Sequence, residues 1–452
     1  MTPRPAPTTQ IFLASTLYGA ATLAAALDAG LFAPAGRRLL LIANNAAVPE
    51  TTPGPDRAPG FERLRTRFDG VLSWNETISP FHPGGWAPRP DDVPLWERHL
   101  RLLWGLGDDR VALIVESIQV NPAQAIAQLF PDAPLEVYAD GLMSYGPTRN
   151  KLDPLIGTRI HRLLHLDLVP GLRPLLLTEF GVPAEIIPGE VFTKVLAELS
   201  DATELPPAPE ESALLLGQYL AALEILTPGE EEELHLRMLR GAVARGHRRV
   251  VFKPHPTAPA HWSGRLEQEA RRLGAELTVL HTSALAEVVF QRLRPALVTG
   301  CFSTALITAQ SLYALPTART GTGLLLERLT PYQNSNRVPV TLVDALLPDL
   351  ADPAPPPATS SEELNSLFQA VGYAMQPQLH PGLRPAAERY LAGHLDARTR
   401  RYFKRRRLTA LGLPGALPSQ LAFLPRNPAV RRMARRARAL RRRLTRKAPV
   451  TR

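Results

Sequence analysis

The order of local patterns constrains this chain more than any single residue. Short apolar runs at residues 11–14, 38–43, 70–73, 111–116, 135–139 and 163–168 read as strands, and helix-period stretches such as 95–104 and 121–129 separate several of them. Apolar strands divided by helices predict a mostly parallel sheet covered on both faces. Around 199–211 the composition turns polar, with Pro206, Pro207 and Pro209, which predicts an interdomain linker. The alternation then restarts. Strands are expected at 213–217, 249–253, 276–280, 296–299 and 314–317, and helices at 228–245, 264–273, 284–292 and 303–312. Two such series predict an α/β chain of two Rossmann-like domains facing across a cleft, at 8–200 and 210–350. Residues 351–396 read as a linker with helices, and 397–452 as a basic helical tail.

Two stretches interrupt the first series. Residues 48–60 carry four prolines and read as a loop; 79–94, with His82, Trp86 and five prolines, reads as a longer aromatic one, equally suited to surface packing and to acceptor binding. The uncharged stretch 11–27 superficially resembles a leader segment, but Ser15, Thr16, Tyr18 and Gly19 interrupt it. A strand at 10–14, a turn and a helix at 20–28 explain it better, so a soluble or peripheral chain is expected. The single cysteine, Cys301, excludes an internal disulfide and any cysteine-cluster metal site.

In parallel sheets, ligands bind beyond the carboxyl ends of strands, so the chemistry is sought there. The run 135–139 ends in Tyr138-Ala139-Asp140-Gly141, where an aspartate beside a turn-forming glycine can reach a cleft and act as general base; an ordinary Asp-Gly turn explains the same residues. The run 249–253 ends in Lys253-Pro254-His255-Pro256. The chain has only five lysines against 47 arginines, and one stands beside this histidine. The flanking prolines keep His255 out of a helix, where its imidazole suits a leaving phosphate or simply faces solvent. The third end, Thr299-Gly300-Cys301-Phe302-Ser303-Thr304, opens a helix with two hydroxyls, which serves as a cap or a phosphate cradle.

Taken together, Ala139-Asp140-Gly141, His255-Pro256 and Ser303-Thr304 resemble, in that order, the motifs of the bacterial sialyltransferases, most closely the alpha-2,8-polysialyltransferase family. The resemblance covers roughly the first 350 residues as domain order, and only a few positions as motifs. It implies the two-domain architecture called GT-B. It also implies that Asp140 deprotonates the acceptor hydroxyl and that His255 meets the phosphate of a CMP-sugar donor and assists CMP departure. Ser303 and Thr304 would bond the same phosphate, with Lys253 and Pro256 in that nucleotide group, and Glu287 would bind ribose hydroxyls. The family's first acid is replaced by Ala139. No Asp-x-Asp pair ends a strand of the second series, and no cluster has metal-ligand spacing, so no cofactor is expected beyond the donor, and transfer is expected to be metal-independent.

The tail carries 19 Lys and Arg and no Asp or Glu over 397–452; taking those from the chain's 52 leaves 33 basic against 42 acidic residues in the rest, a balance of −9. Residues 431–447 read as a helix with Met433, Ala437, Leu440 and Leu444 on one narrow face and arginine on the others. That pattern points to an anionic membrane surface, which implies a cytoplasmic protein peripheral at the inner face of the cell membrane; a disordered solubilising tail is the plainer explanation. With few aromatics in the tail and no nucleic-acid module in the body, nucleic acid is not an expected partner. The reading is an inverting, sialyltransferase-like glycosyltransferase of surface polysaccharide synthesis, taking a CMP-activated sugar and a glycan acceptor. A CDP- or UDP-donor transferase, or a membrane-associated scaffold without activity, stays open at this point.

Overall fold

The computed structural model describes residues 7–139, 141–209, 211–255, 262–352, 354 and 359–416. Two all-parallel sheets form. The first holds β1 (Thr8–Ala14), β2 (Arg37–Ile42), β3 (Gly70–Ser73), β4 (Arg110–Glu116), β5 (Leu135–Ala139), β6 (Ile160–Leu166) and β7 (Ala184–Ile187), in the order β3-β2-β1-β4-β5-β6-β7. The second holds β8 (Ala213–Leu216), β9 (Arg249–Lys253), β10 (Glu276–Val279), β11 (Leu297–Gly300) and β12 (Thr317–Arg319), in the order β10-β9-β8-β11-β12. Each is a doubly wound sheet whose order reverses beside its first strand. The central strands read as unbroken apolar runs because helices cover both faces: every residue of β8 is buried, and β1 is buried from Thr9 to Ala14.

The helices are set by their caps. Thr227 and Glu230 form a capping box at the head of helix Pro228–Ala244, each satisfying a backbone N–H at the other's position. Ser303 caps helix Thr304–Ser311, and Ser360 caps helix Ser361–Met375. The latter packs back on the first-sheet body: Asn365 donates to the Gly171 carbonyl at 2.7 Å and accepts from the Arg173 N–H at 3.0 Å. No described helix is long and apolar enough to cross a membrane.

Three differences from the expectations bear on the architecture. The last strand pairs over Thr317–Arg319, not 314–317, because Ala314 turns through a positive φ of 51° and Pro316 has no N–H for the ladder. β7 and helix Gly189–Asp201 carry no expectation at all; β7 is an edge strand with mostly unburied side chains, so it lacks an apolar run, and the helix runs into the start of the expected linker. The third difference is at the head of the basic tail. Residues 397–416 fold onto the body, through the helix Arg405–Leu411 and the buried side chains of Tyr402, Phe403, Leu408 and Leu413. Several of their cations bond the body. Arg407 donates to the carbonyls of Ala374 and Met375, Lys404 to that of Leu329, and Arg401 stands 3.3 Å from Asp344. The apolar helix pattern at 431–447 lies outside the described residues.

Candidate active site

The order of the first sheet reverses between β1 and β4, and that of the second between β8 and β11. At such a point the connections leave to opposite faces and open a crevice beyond the strand ends. Here the crevices of the two sheets share one cavity of about 420 Å³. Thr16, Tyr18 and the segment Gly141-Leu142-Met143 wall it from the first sheet; Gln218, Glu287 and Phe302-Ser303-Thr304 wall it from the second.

The first wall is fixed by a carboxylate at the tip of β4. Glu116 accepts from the Ser15 N–H at 2.8 Å and from the Ser15 hydroxyl at 2.8 and 3.0 Å. Thr16 then caps helix Leu17–Asp28, its Oγ1 accepting from the Gly19 N–H at 2.8 Å. Gly19 must be small, since a Cβ there would stand 2.9 Å from the Tyr138 hydroxyl and 3.1 Å from Thr16 Oγ1. Of the other polar strand tips, Asn44 is absorbed by structure: it accepts from the Ala46 N–H and donates to the carbonyls of Pro49 and Thr52, tying down the 48–60 loop. The aromatic loop packs as well, with Trp86 edge-on to Trp74 at 5.8 Å and to Trp96 at 5.0 Å.

The second wall is a helix start. The Ser303 hydroxyl accepts from the Ala305 N–H at 3.2 Å, and the Phe302 N–H donates to Gln218 Oε1 at 2.9 Å. Glu287 is only 3 % exposed and accepts from the Thr308 hydroxyl at 2.7 Å. Burial pushes its carboxyl above the usual glutamate range, against the Thr308 bond and the charge of Lys253. Lys253, buried at the end of β9, donates to the Thr282 carbonyl at 3.4 Å. Burial lowers its pKa while Glu287 opposes the shift. Two residues on, His255 lies 6.5 Å from the Tyr219 ring, centroid to centroid. Desolvation and then the charge of Lys253 hold its imidazole below the ordinary histidine value.

Of the residues singled out in the sequence, Glu287, Ser303 and Thr304 line the cavity together with Gly141. Lys253 is coupled to Glu287 by charge, and His255 sits at the end of the strand next to β8, outside the cavity wall. Asp140 and Pro256 lie outside the described residues; Asp140 is the chain neighbour of Gly141. Gln218 and Tyr18 escaped the sequence reading. Gln218 was findable, because it follows Gly217 at the end of the first strand of the second series, where the order must reverse. Among the described residues no group of three His, Cys, Asp or Glu could hold a metal ion.

The family model described as alpha-2,8-polysialyltransferase (POLYST) matches residues 10–322. No curated protein matches the chain. Among solved structures, the chain is similar to the sialyltransferase from Photobacterium damselae, residues 113–497 corresponding to the GT-B domain. Identity is 11%, over 74% of this chain and 96% of that one, with a TM-score of 0.37. It is also similar to Acinetobacter baumannii MurG, at 12% identity over 87% and 97%, with a TM-score of 0.36. The family match spans well over half of the sequence and both sheets' switch points, so the chain belongs to the alpha-2,8-polysialyltransferase family and is a sialyltransferase-like glycosyltransferase of GT-B architecture.

Proposed function

We propose that this protein transfers a CMP-activated nonulosonic acid of the sialic acid type to a glycan hydroxyl, with inversion, in surface polysaccharide synthesis. The observation that carries the reading is that the switch points of both sheets open on one cavity, with Gly141 on one side and Glu287, Ser303 and Thr304 on the other. Asp140 takes the proton of the acceptor hydroxyl, whose oxygen attacks the anomeric carbon as the bond to the CMP phosphate breaks. Ser303 and Thr304 donate hydrogen bonds to that phosphate at the head of their helix, where the free N–H groups and the dipole favour negative charge. His255, with Lys253 and Pro256 beside it, neutralises the departing phosphate, so protein groups take the place of a metal ion. Glu287 accepts from the ribose hydroxyls.

A thermal-shift screen with CMP, CDP and UDP tests the donor. CMP alone is expected to stabilise the protein, and His255→Ala to remove the effect. Stabilisation that survives the substitution undiminished, or a preference for UDP, overturns the assignment. Asp140→Asn is expected to abolish turnover without unfolding the chain, and EDTA to leave the rate unchanged.

The tail belongs to the same reading. Beyond Ala416, the last described residue, the arginine-rich sequence with its thin apolar stripe suits an anionic lipid surface, at about 1 kcal/mol per basic residue near it. It would hold the enzyme at the cytoplasmic face of the membrane. Co-sedimentation with phosphatidylserine vesicles, present in the full chain and lost on truncation after Ala416, is the expected result; equal binding of both forms sinks it.

A further inference from the structure

Gln218 stands where the order of the second sheet reverses, just past the end of β8 at Leu216. Its backbone is held from both sides. The Gly217 N–H donates to the Lys253 carbonyl at 2.9 Å, and a Cβ on Gly217 would stand 3.1 Å from Pro254 Cα, so the chain lies pressed against the end of β9. On the other side the fully buried Glu231 accepts from the Leu220 and Ala221 N–H groups at 2.7 Å each, one through each carboxylate oxygen. Between these anchors Tyr219 meets the His255 ring, and Gln218 reaches across the reversal to the end of β11, where its Oε1 accepts from the Phe302 N–H at 2.9 Å.

That bond fixes which end of the amide is which. A backbone N–H can only donate, so the atom facing it is the oxygen, and Nε2 with its two hydrogens is the other end. Nε2 makes no hydrogen bond among the described residues, and Gln218 is part of the main cavity wall. Of the described residues lining that cavity, Gln218 alone brings a side-chain N–H; Glu287 brings acceptors, and Ser303 and Thr304 bring hydroxyls. An unspent donor tied to the residue before Ser303, at the head of helix Thr304–Ser311, suits an anion.

We propose that Gln218 donates from Nε2 to the phosphate of the nucleotide-sugar donor, as a further ligand beside Ser303 and Thr304. The proposal rests on the reading above, which seats that phosphate at the helix head. In a CMP-sugar the phosphate is a diester with a single negative charge. When the bond from the anomeric carbon to its oxygen breaks, the electron pair stays on that oxygen and the phosphate gains a second charge. A donor already held in place strengthens its bond as this charge appears, without reorganising. Being neutral, the amide leaves no unpaired charge in the wall when the nucleotide departs.

The test uses the full chain and calorimetric titration with CMP and with cytidine. Gln218→Ala is expected to weaken CMP binding about ten- to a hundredfold, the usual cost of one hydrogen bond to a charged group. Cytidine, which has no phosphate, should bind as to the wild type. Gln218→Glu separates the two ends of the side chain. Its carboxylate still accepts from Phe302, so the melting temperature is kept, but it has no N–H to offer and repels the phosphate. CMP affinity should fall in this variant at least as far as in Gln218→Ala. Wild-type CMP affinity in Gln218→Glu would mean that the side chain only holds Phe302 in place, and overturns the proposal. So does wild-type affinity in Gln218→Ala, or an equal loss for CMP and cytidine. A wild-type chain that does not bind CMP refutes the seating of the nucleotide itself, and the proposal falls with it.

Discussion

Gly141 from the first sheet and Thr304 from the second approach so closely that a methyl group on Gly141 would stand 3.0 Å from the threonine Oγ1. The neighbour would have to give by a few tenths of an ångström, and it is one of the two hydroxyls proposed for the phosphate. Gly141→Ala is therefore expected to leave the melting temperature nearly unchanged while weakening CMP binding several-fold. Adding Thr304→Ala removes the crowding atom without restoring the hydroxyl, so the double variant should bind CMP no better than Thr304→Ala alone. Gly141→Ala with wild-type CMP affinity would show that this contact does not shape the nucleotide site.

Glu287 predicts a trade of stability against binding. Its folded carboxyl pKa is raised above 4.5, chiefly by burial. Between the unfolded value and the folded one the native state holds more protons, so stability falls as pH rises through that window, and the full cost of burying the charge remains above it. Gln keeps the shape and accepts the same Thr308 bond without a charge. Glu287→Gln should melt higher than the wild type at neutral pH, with the gain vanishing below about pH 4.5, the reference value for glutamate, and should lose stabilisation by CMP. A melting temperature lowered at pH 7 would contradict the burial argument.

Much of this was legible in advance, for identifiable reasons. The central strands announce themselves because both faces of a parallel strand are covered: β8 is Ala-Leu-Leu-Leu, buried throughout. Ser303 was legible as a cap because a hydroxyl between a buried strand and an apolar helix has little else to do. Edge strand β7 was not, since it is four residues long and Glu185 interrupts its apolar run. Residues 397–416 read as part of the basic tail, yet Tyr402 and Phe403 bury their segment against the body. Two aromatics in a charged run were the overlooked signal.

That segment makes its own prediction. Asp344, whose side chain is fully buried, accepts from the Tyr402 hydroxyl at 2.9 Å and from the Thr322 hydroxyl at 2.6 Å, with Arg319 and Arg401 at 3.2 and 3.3 Å. Removing Tyr402 and Arg401 strips a buried charge of two of its four partners, and such a loss costs several kcal/mol. A chain ending at Asp396 is expected to be insoluble or to melt far below the wild type, whereas one ending at Ala416 should melt with the full chain. Tyr402→Phe alone should cost about 1–3 kcal/mol in urea unfolding. Equal stability of the two truncations would return residues 397–416 to the tail.

His255 offers a titration that reports on the phosphate directly. In the free protein, desolvation and the neighbouring Lys253 charge hold its pKa below 6.5, so the imidazole is neutral at pH 7. A bound phosphate adds negative charge beside it and favours the protonated ring, so its pKa rises on binding. The complex then holds more protons than the free protein at every pH between the two values. By linkage, CMP affinity is level below the free-protein pKa, falls as pH rises from there to the pKa of the complex, and levels off again above it. NMR titration of the imidazole should show a midpoint below 6.5 without nucleotide and a higher one with saturating CMP. In His255→Asn the affinity should lose this step in pH. A midpoint that does not move on adding CMP would mean that the nucleotide phosphate sits away from this ring, and the leaving-group role would pass to Ser303 and Thr304 alone.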